Sequence, residues 1–422
     1  MISVATAEVE DVAVDDEWNL GDSAEYLMHT IHAYPAKFPA FIASKAFYYA
    51  QQEGVDVEKV ADIFCGCGTV ALEAKLHGKN FWGCDINPVA TLIAKTKSES
   101  YASEVLDNYY KEIEISVEKT KVPSGAYVAS SERLQYWFTE TSFNKLYILR
   151  QTIEDKVPRG KYQDAFLCLF SSILKASSRW LTKSIKPQVD PNKSDIDIFE
   201  AFSTQYRKLV RSVVQIQEHA TAECKIEIEN CNFLKIDRLP KVDLIISSPP
   251  YVTSYEYADL HQLSALWLGY ADDYRDLRKG SIGSVYNSVD FELDLDSLNA
   301  VGRGIVRSLL SNEKATAQVR SVGRYYMDMQ QSIHRCSCML NNGGMVFFVV
   351  GDTEYKGVKV RNSDHLVQCL INEGFVDIKA AKRRISNKLL TPYRDSIGRF
   401  SSDKSQRTVY HEEYVISGRM WR

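Results

Sequence analysis

The order of apolar and polar residues predicts two strand-rich parts of the chain, separated by a long helical part. Short apolar runs bounded by turn residues, at 59–64, 80–85 and 242–246, are typical of buried strands in a parallel sheet. Residues 99–223 instead repeat their apolar positions with helical spacing, as in YQDAFLCLFSSILKASSRWL. Strand patterns then return at 225–230, and later in MVFFVVGD, FVDIKAAKRRI and EEYVISGRMW. Because strands alternate with helices, we predict an α/β fold with a Rossmann-like sheet and a large helical insertion.

A glycine-rich turn joins the first predicted strand to a helix. The stretch Asp62-Ile63-Phe64-Cys65-Gly66-Cys67-Gly68-Thr69 contains an acid and a Gly-x-Gly turn, and the next strand ends at Asp85. These are parts of a nucleotide-binding loop, in which glycines admit the ligand to the backbone and the second acid binds ribose hydroxyls. Without a third glycine or a P-loop lysine, the turn favours a nucleoside cofactor that lacks a diphosphate, such as S-adenosylmethionine. Asp62 would face its amino end, while Asp85 could instead cap the helix near Pro88.

The strand at 242–246 runs into Ser247-Ser248-Pro249-Pro250-Tyr251. Two prolines end the hydrogen-bond ladder and stiffen the carboxyl end of a strand, where open α/β sheets place their ligands. Backbone carbonyls and the Ser248 hydroxyl offer acceptors beside the flat face of Tyr251. This platform suits a planar group with an amino substituent, such as a nucleobase, and the alternative is a proline-rich turn with a packed tyrosine.

Two further stretches are candidates for ligand contacts. His32-Ala33-Tyr34-Pro35-Ala36-Lys37-Phe38-Pro39 precedes a helical pattern, and proline is tolerated at the start of a helix. We expect this loop to present Lys37 and Phe38 on a fixed backbone, or else to act only as a helix cap. Asn230 and Asn232, at the end of another strand, could hydrogen-bond an adenine.

Composition limits the compartment and the chemistry. The 422 residues are 45% hydrophobic and 25% charged, as in ordinary soluble globular proteins. No apolar run approaches the length of a membrane span, which is about 18 residues. The N-terminal stretch is acidic, so we expect no signal peptide and a cytoplasmic location. Nine scattered cysteines indicate free thiols, and we predict no metal site.

The charge distribution points to one local basic segment. The net charge is −4, so any nucleic-acid contact must come from a patch rather than from the whole molecule. Residues 381–408 contain eight basic and two acidic residues, a local charge of +6. We predict that Lys388, Arg394 and Arg399 in this segment contact DNA phosphates, and the alternative is a solvated hairpin loop.

Together these motifs resemble those of the amino-group DNA methyltransferases, in particular the N4-cytosine type. Ser248–Tyr251 matches the catalytic Ser-Pro-Pro-Tyr, whose serine form is typical of cytosine members, whereas adenine members more often carry Asp or Asn. Asp62–Thr69 resembles the cofactor loop of the family, Asp85 its ribose-binding acid, and His32–Pro39 its methionine-side loop. Cofactor loops before the catalytic motif are one of the known permutations of this family.

The resemblance covers about 25–97 and 225–422 and is weak over 99–223. The expected parts are an acidic N-terminal tail (1–24), a cofactor-binding part (25–98), a helical insertion (99–223) and a catalytic part (224–422), which includes an excursion at 252–324 and a basic loop at 387–406. Target recognition is expected in 99–223, in 252–324, or in both. The residues expected to bind the cofactor are His32, Tyr34, Pro35, Lys37, Phe38, Asp62, Phe64, Cys65, Gly66, Gly68, Thr69, Asp85, Ile86, Asn230, Asn232 and Ser247. The expected catalytic residues are Ser248, Pro249, Pro250 and Tyr251.

The implied reaction is methyl transfer from S-adenosylmethionine to the N4 amine of a cytosine flipped out of duplex DNA and stacked on Tyr251. Ser248 and the carbonyl of Pro249 would accept hydrogen bonds from the amine and orient its lone pair, without a covalent intermediate. A restriction endonuclease could be a partner, and the enzyme could be a monomer or a dimer. The alternatives are an N6-adenine DNA methyltransferase, an RNA or protein amino-methyltransferase, and a DNA-binding regulator on an inactive methyltransferase fold. Carbon-5 methylation is disfavoured because the chain contains no Pro-Cys dipeptide.

Overall fold

A computed structural model describes residues 1–19, 24–219, 224–252, 257–285, 292–385, 393–394, 403, 407–408 and 412–422. The strands are β1 (Ile2–Ser3), β2 (Lys59–Asp62), β3 (Asn80–Asp85), β4 (Ile226–Asn230), β5 (Val242–Ser247), β6 (Leu340–Val350), β7 (Thr353–Tyr355), β8 (Val358–Val360), β9 (Val376–Arg384), β10 (Tyr393–Arg394), β11 (Arg407–Thr408) and β12 (Glu412–Arg419). The helices are α1 (Ala40–Gln52), α2 (Thr69–Leu76), α3 (Pro88–Ser98), α4 (Ser103–Val117), α5 (Ala126–Ala129), α6 (Glu132–Trp137), α7 (Glu140–Lys156), α8 (Lys161–Ser177), α9 (Ile198–His219), α10 (Tyr257–Leu260), α11 (Gln262–Trp267), α12 (Ala300–Leu310), α13 (Val319–Met339) and α14 (Asn362–Asn372). Short 3-10 turns lie at Asp16–Trp18, Leu27–Thr30, Phe233–Lys235, Tyr274–Arg278 and Thr316–Gln318.

An eight-stranded sheet in the order β1-β9-β12-β6-β5-β2-β3-β4 forms the centre of the protein. The five strands from β6 to β4 are parallel, whereas β12 runs antiparallel to both of its neighbours, β6 and β9. The chain passes from β2 to β3 on one side and later returns to β5 on the other, so the strand order reverses between β2 and β5. In open α/β sheets a ligand crevice lies at such a switch point. This topology confirms the predicted Rossmann-like α/β fold.

Strands β2, β3, β5 and β6 of the parallel part are largely buried on both faces, whereas β4 at the edge of the sheet is half-buried to exposed. In β5, Leu244 and Ile246 pack in the core that contains α1 and α2, whereas Ile245 packs in the core that contains α12, α13 and α14. Successive side chains of a strand point to opposite faces, so two helical layers receive alternate residues of the same strand. This packing holds the carboxyl end of β5 rigidly between the layers.

The helices between α3 and β4 form a third core beside the sheet. Buried side chains of α7, α8 and α9, among them Phe170 and Leu209, pack with Leu92 of α3 and with Trp267 of α11. Gln262 at the start of α11 accepts hydrogen bonds from Arg133 and Trp137 of the insertion, at 2.7 and 2.9 Å. The helical segment that follows the Ser-Pro-Pro-Tyr motif is therefore packed on the insertion.

The N-terminal residues differ from the predicted acidic tail over residues 1–19. β1 pairs antiparallel with β9 at the edge of the sheet, and the Asp15 amide donates to the Lys382 carbonyl at 2.9 Å. Val9 and Trp18 are buried. Apolar side chains between the acids give this segment enough buried surface to pack against the sheet. The acidic composition of the segment alone does not indicate this packing.

No helix within the described ranges has the length and apolar character needed to cross a membrane.

Candidate cofactor and base site

The turn between β2 and α2 lies at the switch point of the sheet. Gly66 and Gly68 have φ values of 50° and 75°, in the left-handed region that favours glycine. A Cβ atom on Gly68 would lie 2.6 Å from the Cα of Ala94 in α3, so the turn packs directly against that helix. At Gly66 the nearest atoms to such a Cβ belong to the Tyr34 ring, 3.8 Å away. Gly68 is therefore required for packing, whereas Gly66 leaves the backbone beside it open.

Asp85, at the carboxyl end of β3, is tied to this turn. Its carboxylate accepts hydrogen bonds from the amides of Gly66 and Asn87, both at 2.8 Å. The side chain of Asn87 caps α3 by accepting from the Val89 amide at 3.0 Å, so the cap is Asn87 and not Asp85. Burial raises the pKa of Asp85 above its usual value. The acid is thus held against the glycine turn at the place where a ribose-binding acid is expected.

Asp62, at the end of β2, is a buried acid with neutral hydrogen-bond donors. Its Oδ1 accepts from the Ser247 hydroxyl at 2.6 Å and from the Phe64 amide at 3.1 Å. Burial raises its pKa to about 7, and the charge of Asp85 acts in the same direction. A cationic group on a ligand would offset the cost of ionising this acid.

These residues fit the polar groups of S-adenosylmethionine. Asp62 suits a cationic amino end, and Asp85 suits ribose hydroxyls. The open backbone at Gly66 admits a ligand, and the Thr69 hydroxyl is a buried group that has no hydrogen-bond partner within the described residues. An unpaired buried hydroxyl is costly unless a ligand or water satisfies it.

The side chains of the predicted loop at 32–39 contact different parts of the protein. Tyr34 lies beside Gly66 and stacks on Tyr257, with ring centroids 6.3 Å apart. His32 is buried toward the helical insertion, where its Nε2 is 3.0 Å from the Ser171 hydroxyl, and burial lowers its pKa to about 4. Lys37 pairs with Glu25 and donates to the carbonyl of His29, in the 3-10 turn that precedes the loop. Of these residues, only Tyr34 is shown in contact with the glycine turn.

The remaining predicted cofactor residues surround the ends of the strands. Asn230 pairs in register with Asp85 and donates to its carbonyl at 2.9 Å. Asn232 uses its side chain locally, since it accepts from the Leu234 amide and donates to the Gly280 carbonyl. Phe64 and Cys65 follow β2, Ile86 follows β3, Phe38 packs against the core of α1, and Pro35 is half-buried in the loop before α1.

The Ser-Pro-Pro-Tyr motif follows β5 as predicted, and its side chains are anchored to neighbouring strands. The Ser248 hydroxyl donates to the Val349 carbonyl of β6 at 2.9 Å. The Tyr251 hydroxyl donates to Oε1 of Glu413 at 2.9 Å. Burial, together with the charge and hydrogen bond of Glu413, raises the pKa of Tyr251 well above its usual value, so the phenol remains a donor. Pro249 is buried and Pro250 is half-buried.

Several residues of the site carry no signal in the local sequence. Glu413 and Gly351 both contact Tyr251, and the His261 ring packs at a tilt of 36° against the Tyr34 ring, with ring centroids 4.8 Å apart. Each belongs to a segment far along the chain from its partner, so no local motif indicates these contacts.

The predicted DNA contacts cannot be placed as side chains. Lys388 and Arg399 lie outside the described residues, and Arg394 is described only as backbone in β10, which pairs with β11. Their role remains a prediction.

A Rossmann-like sheet with a glycine turn and strand-end acids at its switch point is the arrangement expected of an S-adenosylmethionine-dependent methyltransferase. Residues 48–276 match the sequence model of the D12 class N6 adenine-specific DNA methyltransferases, and the chain belongs to this family. The protein is therefore a DNA methyltransferase that uses S-adenosyl-L-methionine as its cofactor.

The chain is also similar to curated proteins named Type II methyltransferases. The chain is 23% identical to the Type II methyltransferase M.MvaI of Kocuria varians over 394 residues, which cover 87% of this chain and 86% of the relative. It is 25% identical over 259 residues to M.BsoBI of Geobacillus stearothermophilus, covering 53% of this chain and 50% of the relative. M.AvaI of Nostoc is 21% identical over 359 residues, covering 74% and 71%.

Two solved structures align over most of the chain but superpose weakly. A SAM-dependent O-methyltransferase from Thermotoga maritima is 9% identical with a TM-score of 0.30, and the alignment covers 92% of this chain and 66% of that one. A SAM-dependent methyltransferase from Methanosarcina mazei is 9% identical with a TM-score of 0.29, covering 92% and 99%.

Proposed function

We propose that the enzyme methylates the N4 amine of cytosine in duplex DNA. The observation that carries the proposal is the serine at position 248, held in a defined orientation at the end of β5. Because its hydroxyl hydrogen is donated to the Val349 carbonyl, its oxygen lone pairs remain to accept a hydrogen bond from an amine. A serine is a compact neutral acceptor, and in the resembling family this form is typical of cytosine enzymes.

The proposed reaction needs a base that has left the duplex. A base that remains stacked in the DNA duplex cannot bring its amine to the carboxyl end of β5. The target base is therefore flipped out and stacks on Tyr251. The hydroxyl of Ser248 and the carbonyl of Pro249 accept from the amine, which directs the nitrogen lone pair toward the methyl group of the cofactor. Asp62 and Asp85 bind the amino end and the ribose of the cofactor. The amine nitrogen would bond to the methyl carbon as the carbon–sulfur bond of the cofactor breaks. S-adenosyl-L-homocysteine would leave, and the methylated nitrogen would release one proton to solvent. Positioning and electrostatics would then supply the rate.

N6-adenine is the second candidate, and one observation favours it. The family to which residues 48–276 belong is described as N6 adenine-specific. Adenine and cytosine present a similar exocyclic amine, and they differ in ring size and in the atoms beside that amine. A platform of backbone carbonyls and one hydroxyl can in principle hold either amine, so product analysis has to decide between them.

The test is to identify the methylated nucleoside. Duplex DNA of varied sequence is incubated with the enzyme and S-adenosyl-L-methionine, digested to nucleosides and analysed by mass spectrometry. We expect N4-methylcytosine without N6-methyladenine above the level of an enzyme-free control. N6-methyladenine as the sole product would overturn the cytosine proposal and support the second candidate. Ser248→Ala should lower the rate about tenfold, since one hydrogen bond contributes about 1.4 kcal/mol, and should leave cofactor binding intact.

We further propose that the enzyme is the modification component of a restriction–modification system in the cytoplasm. The support is that the relatives are named Type II methyltransferases. The proposal expects methylation at one short fixed sequence, with a restriction endonuclease as a functional partner. The insertion at 99–223 and the excursion at 252–324 are both retained as target-recognition candidates, and the basic segment with Lys388, Arg394 and Arg399 as a phosphate contact.

A further inference from the structure

A buried chain of polar contacts ends on the hydroxyl of Tyr251. Glu413 of β12 accepts from that hydroxyl through Oε1 at 2.9 Å, and its Oε2 pairs with Nη1 of Arg383 at 2.7 Å. The side chains of Arg383 and Glu413 are only 3% and 14% exposed. Nε of Arg383 donates to the Trp18 carbonyl at 3.1 Å. Both oxygens of the carboxylate thus have partners, one of which is the tyrosine.

The register of β12 and β9 places this pair beside Tyr251 of the Ser-Pro-Pro-Tyr motif. Glu413 and Arg383 are directly opposite each other in the antiparallel ladder of β12 and β9. The Tyr251 ring approaches the backbone after β6, where a Cβ on Gly351 would come within 2.9 Å of the ring atom Cε2. The Gly351 backbone therefore limits rotation of the ring, and Glu413 fixes the position of its hydroxyl end.

Stability alone gives little reason for this arrangement. A buried ion pair loses much of its Coulombic gain to desolvation, and well-packed apolar residues often serve as well. Breaking such a pair on one side is costly, because a buried charge remains unpaired. The Glu413 carboxylate has a second role if the oxygen that does not pair with Arg383 orients another group. Here that group is Tyr251.

We propose that Glu413 is a positioning residue for Tyr251, and that Arg383 fixes Glu413 in turn. The inference rests on the proposed function, in which the flipped base stacks on the tyrosine. A ring fixed in its plane presents a ready stacking surface, whereas a ring free to tilt must be ordered again when the base arrives. The residue pair acts on the transfer step through the tyrosine.

The experiment is a double-mutant cycle on single-turnover methylation with saturating DNA and cofactor. Tyr251→Phe removes only the hydroxyl and leaves the Glu413–Arg383 pair intact, and Glu413→Ala removes the acceptor. We expect each change to slow methyl transfer about tenfold, and the double variant to be no slower than Glu413→Ala. Calorimetric affinity for S-adenosyl-L-homocysteine should stay at the wild-type value in Tyr251→Phe.

Glu412→Gln is the matched control. Glu412 neighbours Glu413 in the same strand and lies 4.0 Å from Lys382 in a more exposed pair. The control should leave the transfer rate unchanged, and Glu413→Gln, which keeps one acceptor oxygen, should recover part of the rate lost in Glu413→Ala.

The outcomes separate this inference from the proposed function. Multiplicative losses in the double variant, or a wild-type rate in Tyr251→Phe, would overturn the positioning role. If Tyr251→Ala also retained full activity, the stacking role itself would fall. If Glu413→Ala does not fold, Tyr251→Phe and Glu413→Gln still decide the question, because both keep a side chain at position 413.

Discussion

Three glycines with positive φ allow the roles of the cofactor turn to be separated by single alanine substitutions. Gly54, after α1, has a φ of 74°, and a Cβ added there would have no atom within 4 Å, so alanine adds only backbone strain. Gly66 also has a positive φ, a Cβ there would meet only ordinary van der Waals contacts of 3.8 Å or more, and it adjoins the candidate cofactor site. Gly68 combines positive φ with a contact of 2.6 Å to Ala94. All three variants therefore share the backbone strain, to which Gly66→Ala adds a methyl group beside the candidate cofactor site and Gly68→Ala adds a steric clash with α3.

The backbone conformation and contacts of each glycine set the expected loss of unfolding free energy. Left-handed backbone costs a non-glycine residue about 1–2 kcal/mol, so Gly54→Ala and Gly66→Ala should each lose about that much unfolding free energy. Gly68→Ala adds overpacking against α3, typically about 1–3 kcal/mol, for a total of about 2–5 kcal/mol. Against a usual stability of about 5–15 kcal/mol, the last variant should be clearly destabilised but still able to fold.

The glycine variants should rank differently in cofactor affinity than in stability. The methyl group of Gly66→Ala occupies space beside the backbone where the ligand is expected, so affinity should fall at least tenfold, or about 1.4 kcal/mol. Gly54→Ala should bind the cofactor normally. Urea denaturation gives the stabilities, and calorimetry with S-adenosyl-L-homocysteine gives the affinities. Wild-type affinity in Gly66→Ala, or equal stability of Gly68→Ala and Gly54→Ala, would refute this assignment of the two glycines.

The two acids of the site give further predictions. Asp85→Ala should weaken cofactor binding about tenfold or more, because it removes a charged acceptor for ribose and also frees the Gly66 and Asn87 amides; unchanged calorimetric binding by the folded variant would reject the assignment. Asp62 has a pKa raised to about 7, so its ionised fraction grows as pH rises through 7. If the ionised form binds the cationic end of the cofactor, affinity should increase about tenfold between pH 6 and pH 8. Asp62→Asn should abolish this increase, and an equal increase in that variant would assign the titration to another group.

The parallel part of the sheet and the platform could be predicted because their signals are local. The apolar run before Ser247, the two prolines and the Gly-x-Gly spacing each determine the backbone within a few residues. Parallel strands also place their carboxyl ends on one edge, so Asp62 and Asp85 could be expected to lie near each other. The hydrogen bonds between Asp85 and the turn are consistent with that expectation.

Contacts that depend on register could not be predicted. Glu413 lies 162 positions after Tyr251, and only the insertion of β12 between β6 and β9 brings the two together. The cofactor contact predicted for His32 stays a prediction, and its hydrogen bond to Ser171 of α8 is one that nothing in the local sequence indicates. The first strand contains only two residues, which is too short to show any period.

Two adjacent serines suggest how the fold aligns the methyl donor with its acceptor. β5 lies between β2 and β6, and Ser247 donates to Asp62 of β2 whereas Ser248 donates to Val349 of β6. In the proposed reaction the first contact belongs to the cofactor side and the second to the base side. Reacting atoms must come within about 3–3.5 Å of each other, and neighbouring residues of a strand are separated by about 3.3 Å. The peptide between the two serines, stiffened by the prolines after it, thus links the cofactor pocket to the base platform. A change that moves this peptide should affect the transfer step even when both pockets still bind their ligands.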